Sequence, residues 1–370
     1  MKMMIAQSDN SQAKIAVTEL KNTLNASNIK AITFFASSIY EPNELIQAFN
    51  ENFPNIDVFG CSTAGEIITG KISSNSIVAM AFTDAIFEDF KIEVIDNLTS
   101  NCDIMPAVKS FETYYSSPLS NLDYSKYFGL IYIDGLSKRE EVLLDKLGDV
   151  TNVIFIGGSA GDDMKFQTTY IYANKKCYDN AAVLVLVKSK VPFAFKKIQS
   201  FTETGHKVVA TKVDEAKRFV MEFDNRPAIE VYCEKLNIPI SAADDNFLEY
   251  PIGLMIDGQP YVRSIRGLVD NSIIELYCSV KEGMELSILR TSNDIVEKTK
   301  IAMNNIMEEH KNISGMIVFN CKLRFLELRA KNRLDDYGQI FDKFPTIGFN
   351  TYGEAFIGHV NQTATILIFE

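Results

Sequence analysis

The chain has 370 residues, 46% hydrophobic and 23% charged, the composition of a packed globular protein long enough for two or three domains. Its formal net charge is -11 and its isoelectric point is near 5.0, which argues against a general nucleic-acid binder, since displacing counterions needs a basic footprint. The acidity also disfavours docking on an anionic membrane, and the longest apolar runs, such as 181–187, are far too short to span one.

The opening segment MKMMIAQSDNSQAK has no apolar stretch of signal-peptide length, so a cytoplasmic location is expected. Helical periodicity over 12–26, an apolar strand at 31–35, a helix at 43–50 and a strand at 56–59 lead to a glycine-centred turn, Gly60-Cys61-Ser62-Thr63-Ala64-Gly65-Glu66. The same order returns at 103–115, 129–134, 138–147 and 153–156, and ends in Gly157-Gly158-Ser159-Ala160-Gly161-Asp162. It returns again at 293–309, 315–320, 324–342 and 346–347, before Gly348-Phe349-Asn350-Thr351-Tyr352-Gly353-Glu354. Pro345 is a natural stop for the helix that precedes it.

Period-two strands follow each turn, at 76–82, 87–95, 181–187 and 363–369, so the repeated unit reads α-β-α-β-turn-β-β. The stretch 193–290 breaks this pattern with strands at 207–213, 252–256, 261–268, 273–280 and 286–290 and one helix at 227–236. A domain boundary is expected near residue 220. Two repeats then fall in 1–220, and a strand-rich start plus the third repeat fall in 221–370. The expected fold class is α/β (α+β): mixed β-sheets flanked by helices, in two packed domains.

Strand ends that open into glycine turns present backbone N–H groups and small hydroxyls to a cleft, and ligands of α/β sheets collect there. Ser62, Thr63, Ser159 and Thr351 offer adaptable hydrogen bonds, Glu66, Asp162 and Glu354 offer negative charge, and Tyr352 offers a ring with a hydroxyl. Read blandly, these are tight turns whose short polar side chains bond to themselves. An arginine would hold a ligand carboxylate bidentately. Arg263 and Arg266 sit three apart on the expected strand 261–268, so they face opposite ways, whereas Arg324 follows Cys321 at a strand-to-helix transition.

Chemistry is less well supplied. The six cysteines, Cys61, Cys102, Cys177, Cys233, Cys278 and Cys321, form no Cys-x-x-Cys pair and read as reduced thiols. No metal-ligand spacing links them to histidines or carboxylates, and the glycine turns match neither a P-loop nor a dinucleotide fingerprint, so no metal, ATP or NAD is expected. The rival reading is a cysteine-dependent hydrolase or transferase using Cys61 or Cys321, with His359, in the third repeat, the base expected to approach Cys321 or Glu354.

Five stretches carry a family resemblance. Val58 through Ile67 resembles the signature of the FIST amino-terminal domain, and Ile156 through Asp162 its second hallmark. Phe319 through Arg324, the turn at 348–354 and His359-Val360-Asn361-Gln362-Thr363 resemble the FIST carboxy-terminal domain. The resemblance implies a bacterial sensory input module for small polar ligands, amino acids being the suggested class. It also implies no enzymatic chemistry; members are often fused to output domains, from which this chain departs, so a separate signalling protein is expected as the output. The ligand-binding set it suggests, joined to the residues above, is Cys61, Ser62, Thr63, Glu66, Ser159, Asp162, Arg266, Cys321, Arg324, Thr351, Tyr352, Glu354, His359 and Asn361.

Overall fold

The computed structural model describes residues 3–291 and 294–370, so the first residue of the expected helix 293–309 lies outside the described residues. Two compact units form. The first holds residues up to Ile198, Thr299–Gly358 and Ala364–Glu370; the second holds Gln199–Lys298 and His359–Thr363.

The first unit is built from three copies of one βαβα module. In each copy a pair of parallel strands forms its centre: Ile29–Ser37 with Asp57–Thr63, Tyr127–Ile133 with Phe155–Ser159, and Gly315–Cys321 with Thr346–Thr351. A later strand, Ile77–Thr83, Ala182–Ser189 or Ala364–Phe369, pairs antiparallel with the first of these. An edge strand then completes that side: Met3–Ser8, Phe87–Ile95 or Phe193–Ile198. The repeat therefore starts one strand earlier than the sequence pattern suggests, because Phe87–Ile95 opens the second copy rather than closing the first.

The last strands of each copy cross to a neighbour. Glu66–Ile68 from the first copy pairs with Thr346–Thr351 of the third. Ile171–Ala173 from the second pairs with Asp57–Thr63 of the first, and Glu354–Phe356 from the third pairs with Phe155–Ser159 of the second. The exchange is cyclic, so no copy completes its own sheet.

The inner faces of the three sheets share one apolar core. At its centre the rings of Phe35, Tyr132 and Phe319, one from each copy, form a triangle with centroid distances of 5.4, 6.3 and 6.2 Å. Tyr132 keeps its hydroxyl satisfied there by a 2.8 Å hydrogen bond with Thr33 Oγ1. The outer faces of the first two sheets pack against helices. Ala13–Thr23 buries Ala13, Ala16, Val17 and Leu20 at helical spacing, and Pro42–Asn52 begins on a proline with the Glu41 side chain accepting from Glu44 N–H. The stretch 324–342 is not one helix. It forms Lys322–Ala330 and Leu334–Gln339, separated by Asn332 in the left-handed region (φ 54°).

The second unit is an antiparallel sheet. Its strand order is Gln259–Arg263, Ile252–Ile256, Glu285–Thr291, Phe201–Asp214, Phe219–Phe223, Ile273–Leu276 and Ile265–Val269, and the helix Ala228–Leu236 covers its apolar face. The two outermost strands are consecutive in the chain, joined only by Ser264. The expected strand 261–268 is thus broken at Ser264, and the sheet curls until its edges meet there.

Candidate functional site

The three glycine segments are strand ends rather than turns; the chain bends only after them. Gly60, Gly157 and Gly348 occupy equivalent positions, and a Cβ on each would lie 2.1, 1.7 and 2.0 Å from the carbonyl oxygen of Phe34, Ile131 and Val318 on the neighbouring strand. Glycine is therefore dictated here by close strand approach, not by ligand approach.

The three strand ends do converge, and backbone bonds tie them to one another. Gly161 N–H donates to Ser62 O (3.0 Å), while Ser62 Oγ donates to Gly161 O (2.8 Å). Ala64 N–H donates to Asn350 O (3.2 Å), and Asn350 N–H to Gly65 O (2.8 Å). Ser159 N–H donates to Gly353 O (2.8 Å), and Tyr352 N–H to Ser159 O (3.2 Å). The expected open cleft is instead a closed, buried ring.

Its carboxylates are engaged internally. Glu66 is fully buried, bonded to Thr63 Oγ1 and accepting from Ser76 Oγ (2.7 Å); burial outweighs these bonds and pushes its pKa up to about 8. The equivalent Glu354 accepts from Thr351 Oγ1 at 3.1 Å. Asp162 accepts from the N–H groups of Phe166 (2.9 Å) and Gln167 (2.6 Å) and from the Tyr352 hydroxyl. Asp163, Met164 and Phe166, all in this loop, have φ of 56°, 66° and 52°, a left-handed conformation costly for side chains of this size.

Two cations enter the ring from the Cys321 junction. Lys322 Nζ donates to Ala64 O (2.7 Å) and lies 4.1 Å from the Phe325 ring centre; desolvation pulls its pKa down to about 8. Arg324, in the first turn of the helix Lys322–Ala330, is 2% exposed. Its Nε donates to Asn320 Oδ1 (3.0 Å) and its Nη2 to Thr299 Oγ1 (3.1 Å). Tyr337 OH donates to the same Asn320 oxygen (2.9 Å), and Asn320 Nδ2 donates to Asn350 Oδ1 (2.8 Å). Arg324 Nη1 and Asn350 Nδ2 are buried without an acceptor, and among the described residues no carboxylate pairs with Arg324.

The remaining expected residues separate into other settings. Cys61 faces the central apolar core, and burial pushes its thiol well above the ordinary range, so it supplies no thiolate; Cys321 is buried beside the helix start. Arg266 lies on the strand Ile265–Val269 of the second unit, ion-paired with Glu275 at 2.8 Å, and Arg263 lies on a different strand. His359 and Asn361 also belong to the second unit. There Arg263 Nη1 donates to His359 O (2.8 Å), and Asn361 Oδ1 accepts from the Cys278 thiol at 2.9 Å. Sequence reasoning missed Asn320, Asn350, Lys322 and Cys278. Asn320 and Lys322 stood within the stretch 319–324, on either side of Cys321 and four and two residues before Arg324, but their burial was not legible.

Three exchanged α/β repeats, with an antiparallel unit inserted into the third, define a triplicated α+β scaffold. The FIST N domain matches residues 30–226 and the FIST C domain residues 228–357, and the chain belongs to the FIST family. FIST domains are associated with sensory modules of signal transduction. A protein of Methanocaldococcus jannaschii, named only as uncharacterized, is 23% identical over 310 residues, covering 78% of this chain. The match spans 59% of that protein's length.

Proposed function

We propose that the chain is a sensor for a small polar metabolite bearing a carboxylate, of the amino-acid class, and that the first unit receives the carboxylate at Arg324. One observation carries this reading: a buried guanidinium with no carboxylate partner, in a network holding two donors that lack an acceptor. A buried charge left unpaired costs several kcal/mol, and an incoming carboxylate offsets that cost through charge-assisted bonds. The network is rich in donors and poor in acceptors, the complement of an anion.

Access requires movement, because Arg324 is enclosed. Thr299 lies on the helix Ile295–Glu309 and Tyr337 on Leu334–Gln339, and a groove of about 350 Å³ lined by Lys300, Met303, Asp336 and Ile340 runs between these helices. Parting them admits the ligand and supplies the conformational signal, which a separate signalling protein in the cytoplasm reads. In this reading Ser62, Thr63, Glu66, Ser159, Thr351 and Glu354 are framework, holding the strand ends in place. Asp162 and Tyr352 fix the adjoining loop. The role is binding without catalysis.

The test is a thermal-shift screen of amino acids and small carboxylates. A ligand at a hundred times its dissociation constant stabilises the fold by ~2.7 kcal/mol. Arg324→Gln should abolish the shift and Arg324→Lys should weaken it. A shift that survives Arg324→Gln, or none with any compound at millimolar concentration, overturns the proposal.

A further inference from the structure

The second unit carries a cluster that the ligand reading does not use. It sits at the corner where the curled sheet closes on Ser264. The short segment His359–Thr363 docks there: Asn361 N–H donates to Val262 O (3.4 Å), Ser264 Oγ donates to Gln362 Oε1 (2.7 Å), and Gln362 Nε2 donates to Leu248 O (3.0 Å). This docking brings together Cys278, His359 and Asn361, which are 0, 2 and 1% exposed. The Cys278 sulfur and a ring nitrogen of His359 lie within 4.8 Å of one another.

We propose that Cys278 and His359 form a binding site for a soft divalent transition metal, zinc being the chemical type. Thiolate and imidazole are the two side chains such ions prefer. A tetrahedral zinc with both as ligands holds sulfur and nitrogen about 3.6 Å apart, within reach of small rotations from the present spacing. A nucleophilic cysteine would donate its proton to the imidazole. Here the thiol donates instead to the Asn361 carbonyl, so the arrangement lacks the base contact of a cysteine enzyme. Metal binding replaces that proton, which leaves to solvent, and the sulfur bonds the ion as thiolate.

The surroundings suit an ion. Arg263 holds the His359 carbonyl and so orients the residue, and its charge lies close to the new thiolate. Asn361 Nδ2 is buried without a partner, a donor available to a water or thiolate in the coordination sphere. Two protein ligands on this unit leave positions open for water or a small exogenous ligand.

Chelator-treated full-length protein titrated with cobalt(II) tests the site. A near-ultraviolet sulfur-to-cobalt band should grow to one equivalent, and one equivalent of zinc should erase it. Cys278→Ser should lose the band, while Cys177→Ser, a cysteine elsewhere, should keep it. Should Cys278→Ser not fold, His359→Gln decides: it should weaken cobalt affinity at least tenfold. No band in the wild-type chain, a band that survives Cys278→Ser, or unchanged affinity in His359→Gln overturns the inference.

Discussion

Glu66→Gln tests whether the carboxyl in the buried ring is held neutral. Glu66 is fully buried, and its carboxyl titrates near 8 in the folded chain against 4.5 ordinarily. A raised carboxyl pKa means the folded state keeps a proton that the unfolded state has released. Stability is therefore unaffected by Glu66 below pH 4.5, falls as pH rises to about 8, and stays reduced above it. At ~1.4 kcal/mol per pH unit, the full loss is ~5 kcal/mol. Glutamine has the same shape, can bond Thr63 and Ser76, and does not titrate. Urea unfolding of both proteins from pH 4.5 to 8.5 should give similar stabilities at the acid end. By pH 8 the variant should lead by roughly 3–5 kcal/mol, as order of magnitude. Lys322 acts in a separate window: its pKa is held down to about 8, so its contribution rises with pH between 8 and 10.5, in both proteins. Parallel curves for wild type and variant from pH 4.5 to 8 would refute the idea that Glu66 is held neutral.

Two further tests probe the scaffold. Gly157→Ala should cost about 3 kcal/mol or more, because the new methyl meets a backbone oxygen that cannot yield, whereas Gly148→Ala, on an open helical surface, should gain about 1 kcal/mol; chemical denaturation compares them directly. Tyr132→Phe strands the Thr33 hydroxyl in the core and should cost about 1–2 kcal/mol by the same assay, with no change in the far-ultraviolet spectrum.

The triplication was legible because glycine is forced wherever parallel strands approach as closely as Gly60 and Phe34 do. Helix and strand periods around those glycines then gave the repeating order. The exchange between copies was not legible. Strands of three residues, such as Glu66–Ile68, have no periodicity of their own, and their partners lie hundreds of residues away. The glycine turns were read as lining an open cleft because Ser, Thr and Glu usually face water. Here they face one another, and hydrogen bonds within the ring replace those to water. Arg324 was visible as a residue at a strand-to-helix transition, but its lack of a counterion is a property of packing. Cys278 was visible only as one of six scattered thiols, since the residues it meets come from a segment about eighty positions later.

The cyclic exchange of hairpins also bears on how such a protein could arise and how it could fail. A solitary module would leave the far edge of its parallel pair bare and its own hairpin without a sheet to join, an invitation to strand addition from other molecules. Three identical modules could remedy this by symmetry, each lending its hairpin around a threefold axis as a homotrimer. Fusion into one polypeptide makes that closure independent of concentration, and frees each module to diverge, as the third has done by accepting an entire antiparallel unit after its edge strand.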